Sequence, residues 1–273
     1  MVKLQTEKKE SFKKAIYENY HSAGRKFPWR ETADPYEILV SEIMLQQTQT
    51  ERVVPKYNNW LAAFPSPADL AAADLALVLK YWVGLGYNRR ARFLHETAKI
   101  IQQEYGGIFP SDPEKLDALP GIGPYTARAV STFAFGLPNV FIETNIRSVF
   151  IFFFFQDSET VSDREILELV EETLDAGNPR EWYYALMDYG ALLKKKIQNP
   201  NRKSRHYTKQ SKFEGSLRQA RGEIIRYLSS NTSGSLDDIA SDSGLPYERI
   251  EKAALALLGE TLVAEEEGIY RIY

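Results

Sequence analysis

One nine-residue stretch restricts the folds open to this chain more than any other feature: Leu119-Pro120-Gly121-Ile122-Gly123-Pro124-Tyr125-Thr126-Ala127. Two glycines around one apolar residue allow a tight turn with backbone N–H groups exposed at the start of a helix. Such a nest binds a phosphate without any charged side chain. A Gly-x-Gly pair also serves in plain interhelical turns, so the preceding Leu-Pro and the small residues that follow carry the distinction. The surroundings are helical in pattern. Asp112–Leu119 reads as a short capped helix with Pro113 in its first turn, and apolar positions 91, 94, 98 and 101 make Asn88–Tyr105 amphipathic. Ser11–Tyr20 (12, 15, 16), Pro35–Leu45 and Ala71–Leu79 extend the series, with Ser66 and Asp69 as caps before the last. No long alternating run predicts a sheet. The exception is a hairpin over Leu262–Ala264 and Ile269–Ile272 around the turn EEEG. The fold class is therefore all-α.

With 273 residues and 44% hydrophobic content, the chain has room for two domains and a small third. Its longest apolar run, Val149–Phe155, has seven residues and is too short to span a bilayer; it reads as core rather than as a stacking platform. The opening MVKLQTEKKE has no apolar segment, so no secretory leader is expected and the cytoplasm is the expected location. Cysteine is absent. That excludes disulfides, thiolate zinc, cysteine-held iron–sulfur clusters and thiol nucleophiles. Three scattered histidines (His21, His95, His206) offer no metal site either.

Charge is unevenly spread. Residues 191–226 carry eleven Lys and Arg against Glu214 and Glu223, while residues 227–273 carry three basic and nine acidic side chains. A basic segment inside an acidic chain reads as a patch for a polyanion, the plainer alternative being a solvated loop. Within it, NPNRKSRHYTKQSKFEGS (199–216) has turn formers and few apolar residues and reads as a linker. Helices at Arg218–Ser229, Ser235–Ser243 and Pro246–Leu258, followed by the hairpin, give the order of a winged helix. Its third helix offers only Arg249 and Lys252, so a protein partner or a packing role fits better than groove reading.

Upstream lie Pro28-Trp29-Arg30 and the run SEIMLQQTQT (41–50). On a helix, Ile38, Glu42 and Leu45 share one face. A carboxylate among apolar neighbours has the raised pKa a general acid needs, although by spacing alone an ordinary solvent-reaching glutamate is the better reading. The amides of Gln46, Gln47 and Gln49 suit hydrogen bonds to base edges or the filling of a vacated base stack; a polar helix end would look the same.

Taken in order, PWR, SEIMLQQTQT, FPSPADLAAA, YWVGLGYNRRAR, LPGIGPYTARAV and MDYGA resemble the MutY-type adenine DNA glycosylases of the helix-hairpin-helix (HhH-GPD) superfamily, over residues 27–193. The resemblance implies a six-helix barrel carrying the hairpin (30–138) and a second helical domain from both flanks (1–29 and 139–198); the basic linker (199–216) and the winged-helix-like domain (217–273) read from the residues follow them. It also implies duplex DNA with a lesion or mismatch as the partner, a base flipped into a pocket, a monomer, and nucleoid association. Glu42 is then the acid that protonates the purine, and Tyr125 stands where bifunctional relatives place a Schiff-base lysine, which implies a monofunctional enzyme without lyase activity. Gln46, Gln47, Thr48, Tyr87, Arg90, Leu119, Gly121, Gly123, Tyr125, Thr126 and Asn145 are the expected DNA and substrate contacts. No cofactor is expected, a monovalent cation at the hairpin being the one exception the resemblance leaves open.

Three departures stand out. The family's sugar-stabilising aspartate falls in Phe141–Arg147, where this chain has Glu143, one methylene longer. The family's four-cysteine iron–sulfur loop is replaced by KKKIQNPNRKSRHYTKQSK, whose Lys203, Arg205 and Lys209 are expected to reach phosphates. The domain that reads 8-oxoguanine opposite the target adenine has no counterpart, its place being taken by the winged helix. The expected activity is purine excision from duplex DNA; a mismatch (uracil or thymine) glycosylase and a non-catalytic DNA-structure binder are the rivals.

Overall fold

The computed structural model describes residues 4–208 and 212–273. The chain divides into two compact units, residues 1–38, 111–117 and 123–209 in the first, and 39–110, 118–122 and 210–273 in the second. In chain order the helices are α1 (Thr6–Ala23), α2 (Pro35–Leu45), α3 (Thr50–Ala63), α4 (Pro67–Ala72), α5 (Leu75–Trp82), α6 (Arg89–Tyr105), α7 (Pro113–Asp117), α8 (Pro124–Phe135), α9 (Thr144–Phe154), α10 (Asp163–Thr173), α11 (Pro179–Lys196) and α12 (Leu217–Asn231). After strand β1 (Ser233–Ser235) come α13 (Leu236–Ser243), α14 (Tyr247–Gly259), β2 (Val263–Glu266) and β3 (Ile269–Ile272). No helix among the described residues is long and apolar enough to cross a membrane.

The first unit is built on α9 and α11, with α1 and α10 packed against them. Phe12 of α1 meets Phe150 and Trp182 at centroid distances of 5.3 and 5.8 Å, joining three helices in one aromatic core. Helix α11 closes on α9 because residue 190 is glycine: a Cβ there would lie 2.3 Å from the Asn145 carbonyl oxygen. Asp188, 4% exposed, takes bidentate hydrogen bonds from Arg30 (2.8 and 2.9 Å) and one from the Arg25 Nε (2.7 Å). Burial alone would raise its pKa, but the two guanidiniums outweigh that and hold it below the ordinary aspartate value.

In the second unit the core comes from α3 (Val53, Tyr57, Trp60), α5 (Val78, Leu79, Trp82) and α6 (Leu94, Ala98, Ile101), with Trp60 edge-on to Trp82 at 5.4 Å. Residues 217–273 belong to this unit. Helix α12 packs on α14 along one side and on α5 along another. The sheet has the order β1-β3-β2, all antiparallel, with Ser235 opposite Ile269 and Val263 opposite Ile272.

Three local expectations change. The single helix expected over Ala71–Leu79 is two, because Ala73 and Asp74 are extended (ψ 150° and 146°) before α5 begins. Strand β1 adds a third strand that Ser-Gly-Ser does not announce by hydrophobic alternation. In the run Val149–Phe155 only Val149, Phe150 and Ile151 are buried; Phe152–Phe155, in the last turn of α9 and just past it, are half-exposed.

Candidate functional site

In the second unit, Glu42 is 7% exposed on a helix whose neighbouring Leu39, Val40, Ile43 and Met44 are each buried. The end of that helix is fixed by Arg90. Its Nη1 donates to the carbonyls of Ile43 (2.7 Å), Met44 (3.1 Å) and Gln46 (2.6 Å), and its Nη2 to Leu85 (3.2 Å), Gly86 (3.0 Å) and the Thr48 hydroxyl (3.3 Å). Arg90, expected on DNA, thus spends its guanidinium on backbone; burial pushes its pKa down to about 10. The loops it ties together each contain a non-glycine residue with left-handed backbone, Gln47 (φ 55°) and Tyr87 (φ 49°). Such conformations cost of order 1–3 kcal/mol and persist where neighbouring structure over-determines them.

Gln46, Gln47, Tyr87, Arg90 and Gly121 line one cavity of 480 Å³, joined by Arg218, Arg221 and Glu260 from the C-terminal segment. Thr48 lines an adjoining cavity of 420 Å³ that shares Gln47 and Tyr87. The Arg218 Nη1 donates to the Tyr87 hydroxyl at 2.7 Å, and the Arg221 Nη1 to Glu260 at 2.8 Å.

At the hairpin, Gly121 is exposed with φ 71°, and a Cβ would meet Phe93 at 2.6 Å, so only glycine fits. The turn closes through the Ile122 N–H on the Leu119 carbonyl (3.2 Å). Leu119 (5% exposed) and Thr126 (2%) are buried, so these two expected contact residues hold the turn and α8 in place, leaving backbone to face a ligand. Gly123 caps α8, with open space where a side chain would stand.

In the first unit, Glu143 is the N-cap of α9. Its Oε1 accepts the N–H groups of Asn145 (2.7 Å) and Ile146 (2.9 Å), and Oε2 accepts the Asn145 side-chain amide (3.2 Å). Glutamate is a rare cap, but here the extra methylene lets one carboxylate take two backbone donors at the positive end of a helix. The charge is held still rather than swung on a mobile side chain. Asn145, expected on DNA, is engaged in orienting it. Tyr125 stands edge-on to Phe141 at 5.7 Å, two residues before Glu143. Lys194 is exposed by area, yet protein packed around its stem desolvates the ammonium and lowers its pKa, with Glu143 acting in the opposite direction.

The segment after α11 is not an open linker. Asn201, 3% exposed, donates to the Thr144 carbonyl (2.7 Å) and to the Ser148 hydroxyl, and Val161 bridges the segment through Lys203 and Arg205 backbone bonds of 2.8 and 3.1 Å. Lys203, expected on phosphate, instead donates to the carbonyls of Phe155 (3.3 Å) and Gln156 (2.6 Å) at the end of α9. Arg205 is exposed; Lys209 lies outside the described residues. Among the described residues no group of three metal-ligating side chains is assembled.

Sequence reasoning missed Arg218, Arg221 and Glu260, whose role depends on α12 docking, and Lys194, which nothing local distinguishes from its two lysine neighbours.

Residues 40–177 match the family of HhH-GPD superfamily base excision DNA repair proteins. The chain is similar to the adenine DNA glycosylase of Buchnera aphidicola subsp. Baizongia pistaciae, 38% identical over 187 residues, covering 67% of this chain and 52% of that protein. The adenine DNA glycosylase of Mycolicibacterium smegmatis is 47% identical over 131 residues, covering 48% of this chain and 45% of that one. The chain therefore spans about half the length of the curated relatives it matches. A solved structure of a thermostable thymine-DNA glycosylase superposes with a TM-score of 0.64 at 28% identity, covering 72% of this chain and 92% of the other. Sequence and fold together place this chain in the HhH-GPD superfamily of base excision DNA repair proteins.

Proposed function

We propose that the protein is a monofunctional DNA glycosylase that hydrolyses the N-glycosidic bond of a flipped adenine, or of a damaged purine, in duplex DNA. The observation that carries this reading is a buried carboxylate, Glu42, on a helix whose end is held by three hydrogen bonds from the Arg90 guanidinium to the carbonyls of Ile43, Met44 and Gln46. In this reading Glu42 donates a proton to a purine ring nitrogen and makes the base a neutral leaving group. Glu143 supplies the complementary charge. Its carboxylate, immobilised by three donors, stabilises the cationic sugar without reorganising. Gln47, Tyr87 and the hairpin backbone around Gly121 and Gly123 contact the duplex, the hairpin through phosphate.

Tyr125 in place of an amine nucleophile supports hydrolysis rather than strand cleavage. Product strands are then nicked only after alkali or heat; efficient borohydride trapping of a protein–DNA adduct, lost on mutation of one lysine, contradicts this. A second reading, excision of a mismatched thymine or uracil, draws on the similarity to the thermostable thymine-DNA glycosylase. Free-base release from a panel pairing adenine, uracil and thymine with guanine, 8-oxoguanine and cytosine separates the two. No release of any base, unchanged by Glu42→Gln, leaves a DNA-structure binder as the better account.

A further inference from the structure

The aromatic run that ends α9 is only half used by the core. Phe150 is buried, but Phe154 and Phe155 stay half-exposed. With Leu4 and Leu169 they floor a groove of 740 Å³ in the first unit, between the start of α1, the end of α9 and one side of α10. Aromatic surface left open in a groove is a mark of an interaction site. The rim is acidic. Helix α10 buries Ile166, Val170 and Thr173 on its inner side, while Glu165, Glu168, Leu169 and Glu172, spaced i, i+3, i+4 and i+7, form a second face along the groove, with Glu171 beside it. Two of these carboxylates already accept hydrogen bonds, Glu165 from the Ser162 N–H (2.9 Å) and Glu172 from the Leu4 N–H (2.8 Å). Those donors are neutral and leave the negative charge in place. Glu168 lies 3.8 Å from Arg164 on open surface, where such a pair is weak and a better-held cation can replace the arginine. The one cation among the described lining residues is Lys8, whose ammonium sits 5.2 Å from the Phe154 ring centre. The chain thus already seats one ammonium over this floor.

We propose that the groove docks a basic amphipathic helix of a partner protein, its apolar side chains entering against Phe154, Phe155 and Leu169 and its lysines or arginines facing the glutamate stripe. A DNA duplex or an anionic lipid surface would bring phosphates against four carboxylates, so neither suits. A small apolar molecule would leave the charged stripe unused. From Glu165 to Glu172 the stripe runs about 10 Å along α10, the length of two turns of a partner helix that carries cations at the same spacing. Glu143 caps the opposite end of α9, an eleven-residue helix, so it lies about 16 Å from Phe154. A partner held here leaves that carboxylate uncovered, and the docking does not depend on the chemistry proposed for it.

The test uses the full-length protein and a fluorescein-labelled peptide of about 18 residues, lysine and leucine patterned as an amphipathic helix. Binding should be saturable and should weaken with salt. Phe155→Ala should weaken it about tenfold by removing an apolar anchor, and Glu168→Lys with Glu171→Lys by about as much or more by reversing the rim. Glu248→Lys with Glu251→Lys, an exposed pair at the same spacing on α14, should leave it unchanged. A scrambled peptide of the same composition, which presents no apolar face, should bind about tenfold more weakly. Thermal unfolding checks that each variant is folded; should Phe155→Ala prove unstable, the charge pair, exposed on α10, still carries the test. No binding, or binding untouched by the groove variants, overturns the proposal. Equal binding of the scrambled peptide, or equal loss with the α14 pair, also overturns it and leaves only general charge attraction. Dimerisation of the protein alone that Phe155→Ala abolishes overturns it as well, and assigns the groove to a second copy of the chain.

Discussion

Glu143 is where geometry and chemistry can be pulled apart by one atom. Glu143→Gln removes the negative charge, but the amide oxygen can still accept the Asn145 and Ile146 N–H groups, so α9 keeps its cap. The stability loss should stay below about 1 kcal/mol. Glu143→Ala deletes the cap and should cost about 1–2 kcal/mol, read as a fall of roughly 2–8 °C in Tm for a protein of this size. Rates respond on another scale. Removing one preorganised electrostatic group costs about 10²–10³ in the chemical step, equivalent to roughly 2.7–4 kcal/mol. The assay is single-turnover base release with enzyme in excess, paired with thermal unfolding and equilibrium binding to the same duplex. Glu143→Gln should fold and bind nearly as wild type yet release base at least a hundredfold more slowly. Glu143→Asp tests reach: a carboxylate shortened by one methylene still caps the helix but is drawn back toward it, so release should also slow. A Gln variant within threefold of wild type refutes the assignment of the sugar-stabilising charge to Glu143.

Three further outcomes are expected. Gly190→Ala should destabilise by about 1–3 kcal/mol or more in denaturant titrations, because the new methyl meets the Asn145 carbonyl at 2.3 Å between two packed helices; a neutral result would mean α11 slides freely on α9. Asp188 has a folded pKa held below its unfolded value, so its contribution to stability is complete above the ordinary aspartate range near pH 4 and is lost as pH falls through the lower folded value. Asp188→Asn should accordingly lower stability at neutral pH and flatten its acid dependence, and an unchanged acid limb contradicts this. In the segment after α11, Arg205→Ala should reduce the slope of log affinity against log salt by up to about one, whereas Lys203→Met should lower stability first, since its ammonium is spent on the carbonyls of Phe155 and Gln156.

What the sequence disclosed and what it withheld divide along a physical line. Amphipathic period and turn chemistry place α1, α2, α6, α7 and the three C-terminal helices to within a few residues, and the glycine pair at 121 and 123 announces the hairpin before any coordinate is seen. Glu42 is legible as a carboxylate on an apolar face. The direction in which a long side chain turns is not. Arg90 sits beside Arg89 in a basic run and reads as a DNA contact, yet it faces six acceptors, four at the end of α2 and in the turn after it and two in the loop just before its own helix. Glu143 as a cap is likewise invisible, because the residues that favour that position are shorter. Docking of α12 on α5 is a long-range pairing with no local signature, and with it go Arg218, Arg221 and Glu260.

That docking has a bearing on how the protein is made. The second unit gathers residues 39–110, 118–122 and 210–273, while most of the first unit's sequence is interposed between the first and last of these. During synthesis α5 emerges early and must wait for α12 until all of α9, α10 and α11 have left the ribosome. The apolar side that α5 turns to α12 stays open through that interval, exposed to the misassembly that threatens incomplete domains. A nascent chain halted before residue 217 would therefore hold a nearly complete first unit and an unfinished second one, and susceptibility to proteolysis along α5 should fall only once the C-terminal segment arrives.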